Sequence, residues 1–478
     1  MEPTNLFDMD DKESFSRLSR RDALKRMGIS PVAASVIAST GVTATQAQAA
    51  DVKGKILVVG GGTGAIMALV RLHRAIVEPD ITVIAPNETH LYQPGQVFMA
   101  SGLYKQEDIV KPNSDFIPDD VTWIKDEVAA FDPDGNKVTT RGGKVVAYDY
   151  MVVATGTVHH YDAIDGLTEA DIGTNGIASV YLNDPEKGTA RGGEITWQWF
   201  GELKGAAKKG RPTVIYTQPE TPIECDGAPQ KILYLSADYL KKEGLGADYI
   251  YTTPADTLFA LDPIAKALEE TQKRYDTITT KFGHRLTAID VKKKVATFEH
   301  VYEVQGKHDP QENAHERIEK KEKVKLKYDF IHIVPPMKPS KAVSDSKLSW
   351  RKGRAKGWLE VDKETLQHRR YPNVFGIGDV CGIPLGKTGG SARRHGPVVQ
   401  DNLLAVMQGK KPTAKFDGYT VCPIGTRYGE MIMAEYNYKG SAPTIPFLSP
   451  EKPHWIWWAF DLYLLKPMYW HLMLRGLM

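Results

Sequence analysis

The residues of this chain with the most specific chemistry are its three cysteines, Cys225, Cys381 and Cys422. They are too few for a disulfide scaffold and too widely spaced for a zinc motif, so no metal site is predicted. Cys225 precedes a predicted helix, residues 232–242, whose N-terminal dipole would favour a thiolate. Cys422 lies in a predicted turn before a strand over residues 430–438. Because an isolated cysteine is more often a small buried hydrophobic residue than a nucleophile, these positions alone do not decide between the two roles.

A glycine-rich segment provides a second candidate site. Residues 55–65 predict a buried strand that breaks into a glycine-rich turn, followed by a helix over residues 66–77 and a strand over residues 81–85. This order is typical of a dinucleotide-binding unit, in which a phosphate lies against the helix N-terminus. A glycine-rich turn without a ligand is the alternative interpretation. The candidate ligands are Gly60 for the tight turn, Gly62 for backbone approach to the phosphate, Gly64, and Ala65 for close helix packing.

One expected feature of such a unit is missing. An acidic residue at the end of the second strand usually binds the adenosine ribose, but Ala85 occupies that position. Asn87 or Glu88 could replace it, so the strength of ribose binding stays open.

Two further segments predict strands that end beside glycines. Residues 148–156 end in Ala-Thr-Gly, and residues 371–379 end in Gly-Asp. A carboxylate at such a strand end can bond a sugar hydroxyl, although it could instead cap a following helix. In this order the three motifs resemble the two-dinucleotide-binding-domain flavoproteins, which implies FAD with Asp379 on its ribityl chain. The additional candidate ligands are Thr155, Gly156, Gly378 and Asp379.

The surroundings of the cysteines resemble a more specific family, sulfide:quinone oxidoreductase, and in particular its animal mitochondrial branch. The resemblance extends over essentially the whole chain beyond the first fifty residues. The segments that carry it are 221–235, 361–370 leading into the third motif, 386–388, 417–423, 468–476 and, after the first motif, 90–94, which contains Gln93.

This resemblance implies a two-cysteine redox cycle. Cys225 and Cys422 would form a disulfide or sulfur-bridged pair at the flavin. Hydrosulfide would open the bridge at Cys422 and leave a persulfide there, and the Cys225 thiolate would attack the flavin ring as two electrons pass to FAD. A small thiol or a second sulfide would then accept the persulfide sulfur, and a ubiquinone-like quinone would accept the electrons.

The resemblance also assigns supporting roles. Gln93 and Lys387 are expected at the cofactor, where Lys387 would stabilise charge on the reduced ring unless it is a solvated surface lysine. Cys381 is not expected to take part. Because no cysteine precedes Cys225, a covalent link between cysteine and flavin is not expected.

The last thirty or so residues predict association with a membrane surface. They are rich in aromatic residues, but charged residues and a proline interrupt them, so no run reaches the roughly twenty apolar residues that span a bilayer. Two amphipathic segments, residues 454–465 and 468–477, would place aromatic rings at headgroup depth, with Lys466 and Arg475 near lipid phosphates. A core-packed or dimer-packing helix pair is the alternative interpretation.

The first fifty residues predict an export signal. Arg20-Arg21, a weakly apolar run and the sequence Ala47-Gln48-Ala49 are typical of a twin-arginine signal over residues 1–49. An N-terminal amphipathic helix is the alternative, but Gly28 and Pro31 weaken it. The expected location is the periplasmic face of a bacterial inner membrane.

The composition favours a folded protein of two or three domains. The 478 residues are 42% hydrophobic and 25% charged, and a net charge of +2 does not favour binding to nucleic acid. The predicted fold class is α/β, with two Rossmann-like dinucleotide-binding domains and a membrane-associating C-terminal region. The FAD-binding domain is expected over residues 50–160 and 355–412, the second domain over 161–354 with a charged hairpin or loop insertion near 303–327, and the C-terminal region over 413–478.

Three other functions are weighed against this one. The flavoprotein subunit of a flavocytochrome c sulfide dehydrogenase would share the fold, the export and the sulfide, but would pass electrons to a haem protein. An NADH:quinone oxidoreductase of the same fold would not need the cysteine pair. A non-catalytic flavin-binding or sulfur-carrier protein would retain the fold without turnover. A homo-oligomer is compatible with the sequence, which leaves the oligomeric state open.

Overall fold

The computed structural model of the chain describes residues 49–183, 190–275, 277–309, 314–445 and 448–478. The predicted export signal, residues 1–49, lies outside the described residues except for Ala49.

The first of two large sheets is built around the glycine-rich segment. Alternate residues of its central strand face opposite sides, so that Ile56 and Val58 pack into one hydrophobic cluster while Leu57 and Val59 pack into another. A strand buried on both faces in this way is typical of a parallel sheet covered by helices. The five strands are all parallel, in the spatial order Val374–Gly376, Tyr150–Val153, Lys55–Val59, Asp80–Ile84 and Thr122–Ile124.

Helices Thr63–Ala75 and Gly389–Met407 contact each other on one side of this sheet. Gly396 allows their close approach, because a Cβ at that position would lie 2.8 Å from the Met67 methyl carbon. Three shorter helices complete the region, namely Gly95–Ala100, Gln106–Ile109 and Lys341–Asp345.

The second large sheet also has five parallel strands, in the order Ile177–Ala178, Phe330–His332, Thr213–Thr217, Asp248–Thr252 and Ile278–Lys281. The intervening helices are Arg191–Ala207, Ala228–Lys241 and Asp262–Gln272. Two parallel sheets of alternating strands and helices confirm the predicted α/β class with two Rossmann-like units.

The sequence predicted either a hairpin or a loop for the charged insertion, and the structure shows a hairpin. Strands Val295–Asp309 and Ala314–Lys327 pair antiparallel, and His284–Asp290 joins them as a third strand. Residues 318–323 are exposed, as expected for a charged surface element. A smaller antiparallel sheet consists of strands Val128–Asp132, Lys137–Thr140 and Val145–Ala147. Strand Thr89–Leu91 pairs with Val110–Pro112, and Val158–His159 pairs with Met337–Lys338.

The predicted turn at Cys422 is wrong. Cys422 lies inside strand Thr420–Arg427, which pairs with Glu430–Asn437, and Gly440–Ser441 adds a third strand. Its neighbour Pro423 is uncommon inside a sheet, because proline cannot donate a hydrogen bond to an adjacent strand. This strand pairs on one side only, however, and an edge strand accommodates proline.

The two predicted C-terminal segments, residues 454–465 and 468–477, are continuous in the structure. Helix Trp455–Ala459 continues through a π-helical stretch, Phe460–Leu465, into helix Lys466–His471, and a 3-10 turn, Met473–Arg475, ends the segment. The π-helical stretch explains how the chain passes Pro467, since a locally widened turn accommodates a residue without an amide hydrogen. In the ranges that the structure describes, no helix is both long and apolar enough to cross a membrane.

The predicted placement of the C-terminal aromatic residues in lipid headgroups is not confirmed, because several of these rings pack inside the protein. Trp470 stacks on Phe116 with ring centroids 5.6 Å apart, and Trp458 meets Phe98 edge-on at 5.5 Å. Trp457 and Tyr469 are buried as well. The core-packing alternative therefore describes these four side chains better.

Both basic side chains expected near lipid phosphates have partners within the protein. The Lys466 ammonium lies 2.7 Å from Asp108 Oδ1 and 4.1 Å from the centroid of the Tyr104 ring. The Arg475 guanidinium lies 5.1 Å from the centroid of the Phe116 ring.

This packing predicts different costs for two leucines of the segment. Leu474 is 0% exposed and Leu477 is 43% exposed. We expect Leu474→Ala to lower the free energy of unfolding by about 2–4 kcal/mol, because it leaves a cavity, and Leu477→Ala to change it by about 0.5 kcal/mol or less. Chemical unfolding in the absence of detergent or lipid measures both. Equal costs for the two variants would contradict the packed arrangement.

Candidate functional site

Cys225 and Cys422 form a disulfide, with their Cα atoms 6.0 Å apart. Cys422 is buried on the edge strand, and the partly exposed Cys225 lies in the loop before helix Ala228–Lys241. Gly227 allows the helix to begin against that strand, because a Cβ there would lie 2.8 Å from Cys422 Sγ and 2.7 Å from Ile424 Cδ1. The two residues that sequence singled out for sulfur chemistry are thus covalently joined, 197 positions apart.

The backbone of Cys225 is held in an uncommon conformation. Its φ angle is 63°, in the left-handed region that non-glycine residues rarely occupy. Its amide donates a hydrogen bond to the Lys387 carbonyl at 3.0 Å, and its carbonyl accepts one from the Ala228 amide at 2.8 Å. The first of these bonds ties the cysteine loop to the loop that follows Asp379.

A lysine lies on the other side of the Cys225 sulfur. Lys231 Nζ donates a hydrogen bond to Cys225 Sγ at 3.4 Å. Burial lowers the pKa of this lysine to about 8, and the nearby Asp461 acts in the opposite direction. Burial raises the pKa of Asp461 to about 7, with Lys231 opposing the shift.

Glu224, next to Cys225, is the centre of a polar cluster. Its carboxylate accepts hydrogen bonds from the Thr157 hydroxyl and from Gln93 Nε2, the latter at 3.0 Å, and it lies 3.8 Å from His159 Nε2. Burial would raise the pKa of Glu224, but its interactions with His159, Thr157 and Gln93 outweigh this effect and lower it. Burial would likewise lower the pKa of His159, and Glu224 instead raises it. The geometry therefore favours a charged Glu224 beside a protonatable His159.

Asp379 and Lys387 meet on the opposite side of the cysteine loop. Lys387 Nζ donates hydrogen bonds to the backbone carbonyls of Asp379 and Cys381, the latter at 3.2 Å, and lies 3.4 Å from the centroid of the Trp358 ring. Burial and the charge of Glu224 raise the pKa of Asp379 to about 7, and burial lowers the pKa of Lys387 to about 8. Lys387 is consequently a partly buried cation rather than a solvated surface lysine.

The glycine motifs leave open space along the ends of the first sheet. A Cβ added at Gly62, Gly156 or Gly378 would meet no atom within 4 Å. Gly60 differs, because its φ is 126° and a Cβ would collide with the Ala154 carbonyl oxygen. Gly60 thus has no room for a side chain, whereas the backbone at Gly62, Gly156 and Gly378 is accessible.

The side chains proposed to replace the missing ribose ligand serve other contacts. Asn87 donates to the Gly61 carbonyl at 3.2 Å and to the Thr89 carbonyl at 3.0 Å, and so braces the glycine-rich turn. Glu88 pairs with Lys125 at 3.1 Å on the surface. Ala85 itself is fully buried.

Cys381 is a free thiol in the hydrophobic cluster beneath the first sheet. Burial raises its pKa to about 12, so the thiolate is disfavoured. This environment fits the expectation that Cys381 takes no part in the chemistry.

The fold and the disulfide together define a class of protein. Residues 54–185 match the family described as "Pyridine nucleotide-disulphide oxidoreductase". The chain is 34% identical over 427 residues to the mitochondrial sulfide:quinone oxidoreductase of Dictyostelium discoideum, covering 88% of this chain and 86% of that protein. It is 33% identical over 430 residues to the mouse enzyme of the same name, with the same coverage. The chain belongs to the sulfide:quinone oxidoreductase family.

A solved structure extends the comparison of folds. The sulfide:quinone oxidoreductase from the hyperthermophilic bacterium Aquifex aeolicus superposes with a TM-score of 0.64 at 21% identity, covering 89% of this chain and 92% of that one. At this identity the match establishes the shared fold.

The predicted periplasmic location is wrong. The relatives from Dictyostelium discoideum and mouse, which align with most of this chain, are named as mitochondrial proteins, and this contradicts the predicted location. The prediction rested on a paired arginine and a few small residues at the start of the chain. So short a pattern constrains location less than similarity over more than four hundred residues.

The residues along the first sheet fit FAD, the cofactor of this class. Helix Thr63–Ala75 begins with no side-chain cap and no acidic residue in its first turn, which suits a pyrophosphate. The buried Thr155 hydroxyl has no hydrogen-bond partner. The Asp379 carboxylate likewise accepts no hydrogen bond from any part of the chain that the structure describes, and a sugar hydroxyl would satisfy it.

Four polar residues at the site were missed by the sequence analysis: Glu224, His159, Lys231 and Asp461. Glu224 and Lys231 lie within the segment 221–235 already singled out. Glu224 is next to Cys225, and Lys231 follows it by six positions. Those positions could have been recognised as facing the cysteine. The other two approach from distant segments, and no local pattern indicates them.

Because Gly60 and Gly62 have different surroundings, we expect their substitution by alanine to impair different properties of the protein. Gly60→Ala is expected to lower the free energy of unfolding by about 2–4 kcal/mol, because the turn has neither the space nor the φ angle for a side chain. Gly62→Ala is expected to change it by about 0.5 kcal/mol or less but to reduce bound FAD, since its methyl group occupies the space for the phosphate. Thermal unfolding of flavin-free protein and the flavin content per chain measure the two effects. Full flavin content in Gly62→Ala would contradict the assignment.

Proposed function

We propose that the chain oxidises hydrogen sulfide at the Cys225–Cys422 disulfide and passes the electrons, through FAD, to a membrane quinone. The observation that carries this proposal is the disulfide itself, which joins the two cysteines beside the FAD-type motifs of a sulfide:quinone oxidoreductase family member.

The first step is a thiol–disulfide exchange. Hydrosulfide attacks Cys422 Sγ, the bond between the two cysteine sulfurs breaks, and Cys225 is released as a thiolate while Cys422 carries a persulfide. A further nucleophile, a small thiol or a second sulfide, then removes the outer sulfur. The two cysteine thiolates that remain must lose two electrons to re-form the disulfide, and FAD, when bound, would supply the two-electron acceptor, which a quinone can reoxidise.

The protein groups around the disulfide fit these steps. Glu224 and His159 form an ion pair at 3.8 Å, and because Glu224 lies next to Cys225 the pair can hold or release a proton as sulfide enters. Lys387 places a partly buried cation beside Asp379, where negative charge on a reduced cofactor would be stabilised. The residues proposed to hold FAD are Gly60, Gly62, Gly64, Ala65, Gln93, Thr155, Gly156, Gly378, Asp379 and Lys387.

The proposal includes a division of the chain into domains, which the two parallel sheets support. Residues 50–160 and 355–412 would bind FAD, residues 161–354 form the second Rossmann-like domain, and residues 413–478 supply Cys422 and the C-terminal segment. A lipid-soluble quinone requires access from a membrane, and the partly exposed rings of this segment, Phe460 and Tyr463, are the proposed contact with its surface.

The competing functions lack a supporting observation. An NADH:quinone oxidoreductase does not need a redox-active disulfide, so this function would not account for the bond between the two cysteines. The type II NADH:quinone oxidoreductase from Mycobacterium tuberculosis matches over only 22% of this chain. The relatives from Dictyostelium discoideum and mouse are both named sulfide:quinone oxidoreductases, which favours a quinone over a haem protein as the electron acceptor.

The proposed cycle makes a clear prediction for the three cysteines. Cys225→Ser and Cys422→Ser should each lower sulfide-dependent quinone reduction at least about a thousandfold, because both sulfurs change bonds in every turnover. Cys381→Ser should retain near-normal turnover, since this thiol lies in the core. Steady-state quinone reduction, normalised to bound flavin, measures all three. Normal turnover in either of the first two variants would rule out the mechanism.

A further inference from the structure

We propose that Lys231 is a catalytic residue whose ammonium group stabilises the Cys225 thiolate as it leaves the disulfide. The inference rests on the proposed function and adds to it a specific group and a direction for the opening of the bond.

The ammonium group of Lys231 contacts one of the two disulfide sulfurs, that of Cys225. Lys231 Nζ lies 3.4 Å from Cys225 Sγ and donates to it, and the donor comes from helix Ala228–Lys241, whose N-terminus also faces the cysteine loop. A disulfide sulfur is a weak hydrogen-bond acceptor, whereas a thiolate is a charged one. The contact therefore strengthens as the bond breaks, which is the property that lowers a reaction barrier.

The surroundings of the lysine suit this role. Asp461, on the C-terminal segment, is the carboxylate that interacts electrostatically with Lys231, and its Oδ1 atom is buried without a hydrogen-bond partner. With a pKa of about 8, Lys231 is mostly protonated at neutral pH. On the cysteine loop itself, Glu224 and Asp226 flank Cys225 with negative charge, and on the far side Lys387 contributes a backbone carbonyl to the Cys225 amide. A thiolate forming here needs a compensating cation.

The position of Lys231 also sets the direction of the exchange. The sulfur of HS⁻ forms a bond to Cys422 Sγ, the Cys225–Cys422 bond breaks, and its electron pair stays on Cys225 Sγ. The proton remains on the outer sulfur of the new persulfide, and the total charge of −1 is conserved. Since the better-stabilised thiolate leaves faster, Lys231 selects Cys225 as the leaving group and Cys422 as the sulfur that receives the persulfide.

The first test measures the thiol and not turnover. In the flavin-loaded protein the disulfide is reduced with a phosphine, and the alkylation rate of Cys225 by iodoacetamide is followed against pH by peptide mass spectrometry. Lys231→Met should raise the pKa of the Cys225 thiol and slow its alkylation at pH 7 about tenfold or more, as a shift of one pKa unit requires. Lys231→Arg should stay near the unmodified protein, because it keeps the charge. Lys266→Met, which removes an exposed lysine from helix Asp262–Gln272, is the matched control and should have no effect.

A purely structural role gives a different result. If Lys231 only compensates the charge of Asp461, Lys231→Met will unfold more easily but its Cys225 pH profile will be unchanged, which overturns the proposal. Lys231→Arg keeps the test decisive if the methionine variant does not fold, because an arginine variant with an upward-shifted thiol pKa would also contradict the role of the charge.

A second test follows the reaction with sulfide. Under anaerobic rapid mixing, Lys231→Met should slow flavin bleaching by sulfide about tenfold, and persulfide trapping should show sulfur on Cys225 as well as on Cys422. Equal rates and an unchanged persulfide position in Lys231→Met and the unmodified protein would overturn the inference about Lys231. No bleaching of the unmodified protein would instead refute the proposed function.

Discussion

The disulfide between Cys225 and Cys422 is the constraint on which the arrangement of the site depends. It joins the loop before a helix of the second Rossmann-like unit to the edge strand of the C-terminal region. The Cys225 amide, bonded to the Lys387 carbonyl, connects the same loop to the first unit. Three parts of the chain therefore meet at one pair of sulfurs. Opening the bond would release a covalent tie between two of them while leaving the backbone hydrogen bond to the third.

Buried charge surrounds this bond, and its distribution is uneven. Lys231 approaches Cys225 from one side, Glu224 and His159 lie beside it, and Asp379 with Lys387 lies beyond. Charges in such a setting interact more strongly than in water, so each group alters the protonation of its neighbours. Burial raises the pKa of Asp379 and Asp461 and lowers the pKa of Lys387 and Lys231, so the pKa values within each acid–lysine pair lie closer together than in water. Groups with pKa values shifted by burial and by a charged partner are typical of functional sites.

Much of the fold could be predicted because it follows from local patterns. The glycine-rich turn after a buried strand indicated the first unit, since its glycine positions answer a steric need that the structure shows at Gly60. The turn predicted at Cys422 is instead part of a strand, which accommodates Pro423 because it lies at the edge of its sheet, and edge position is a tertiary property. The C-terminal aromatic rings were ambiguous for a similar reason. An apolar face packs equally well against lipid or against a core, and only the contacts with Phe98 and Phe116 distinguish the two.

Likewise, some residues of the candidate site could be predicted from the sequence around the cysteines, whereas others could not. The resemblance to a family predicted the cysteine pair. The spacing of the cysteines alone did not distinguish reactive thiols from ordinary buried residues. Lys231 and Glu224 were within reach of sequence reasoning because they neighbour Cys225 along the chain. His159 and Asp461 come from other elements, and only the folded chain brings them to Glu224 and Lys231, respectively.

The most direct test of the central claim follows the flavin of the purified protein under anaerobic conditions. Addition of sulfide should bleach its visible absorbance, and a short-chain quinone added afterwards should restore it. A flavin that sulfide leaves unchanged, but that NADH bleaches, would contradict the account.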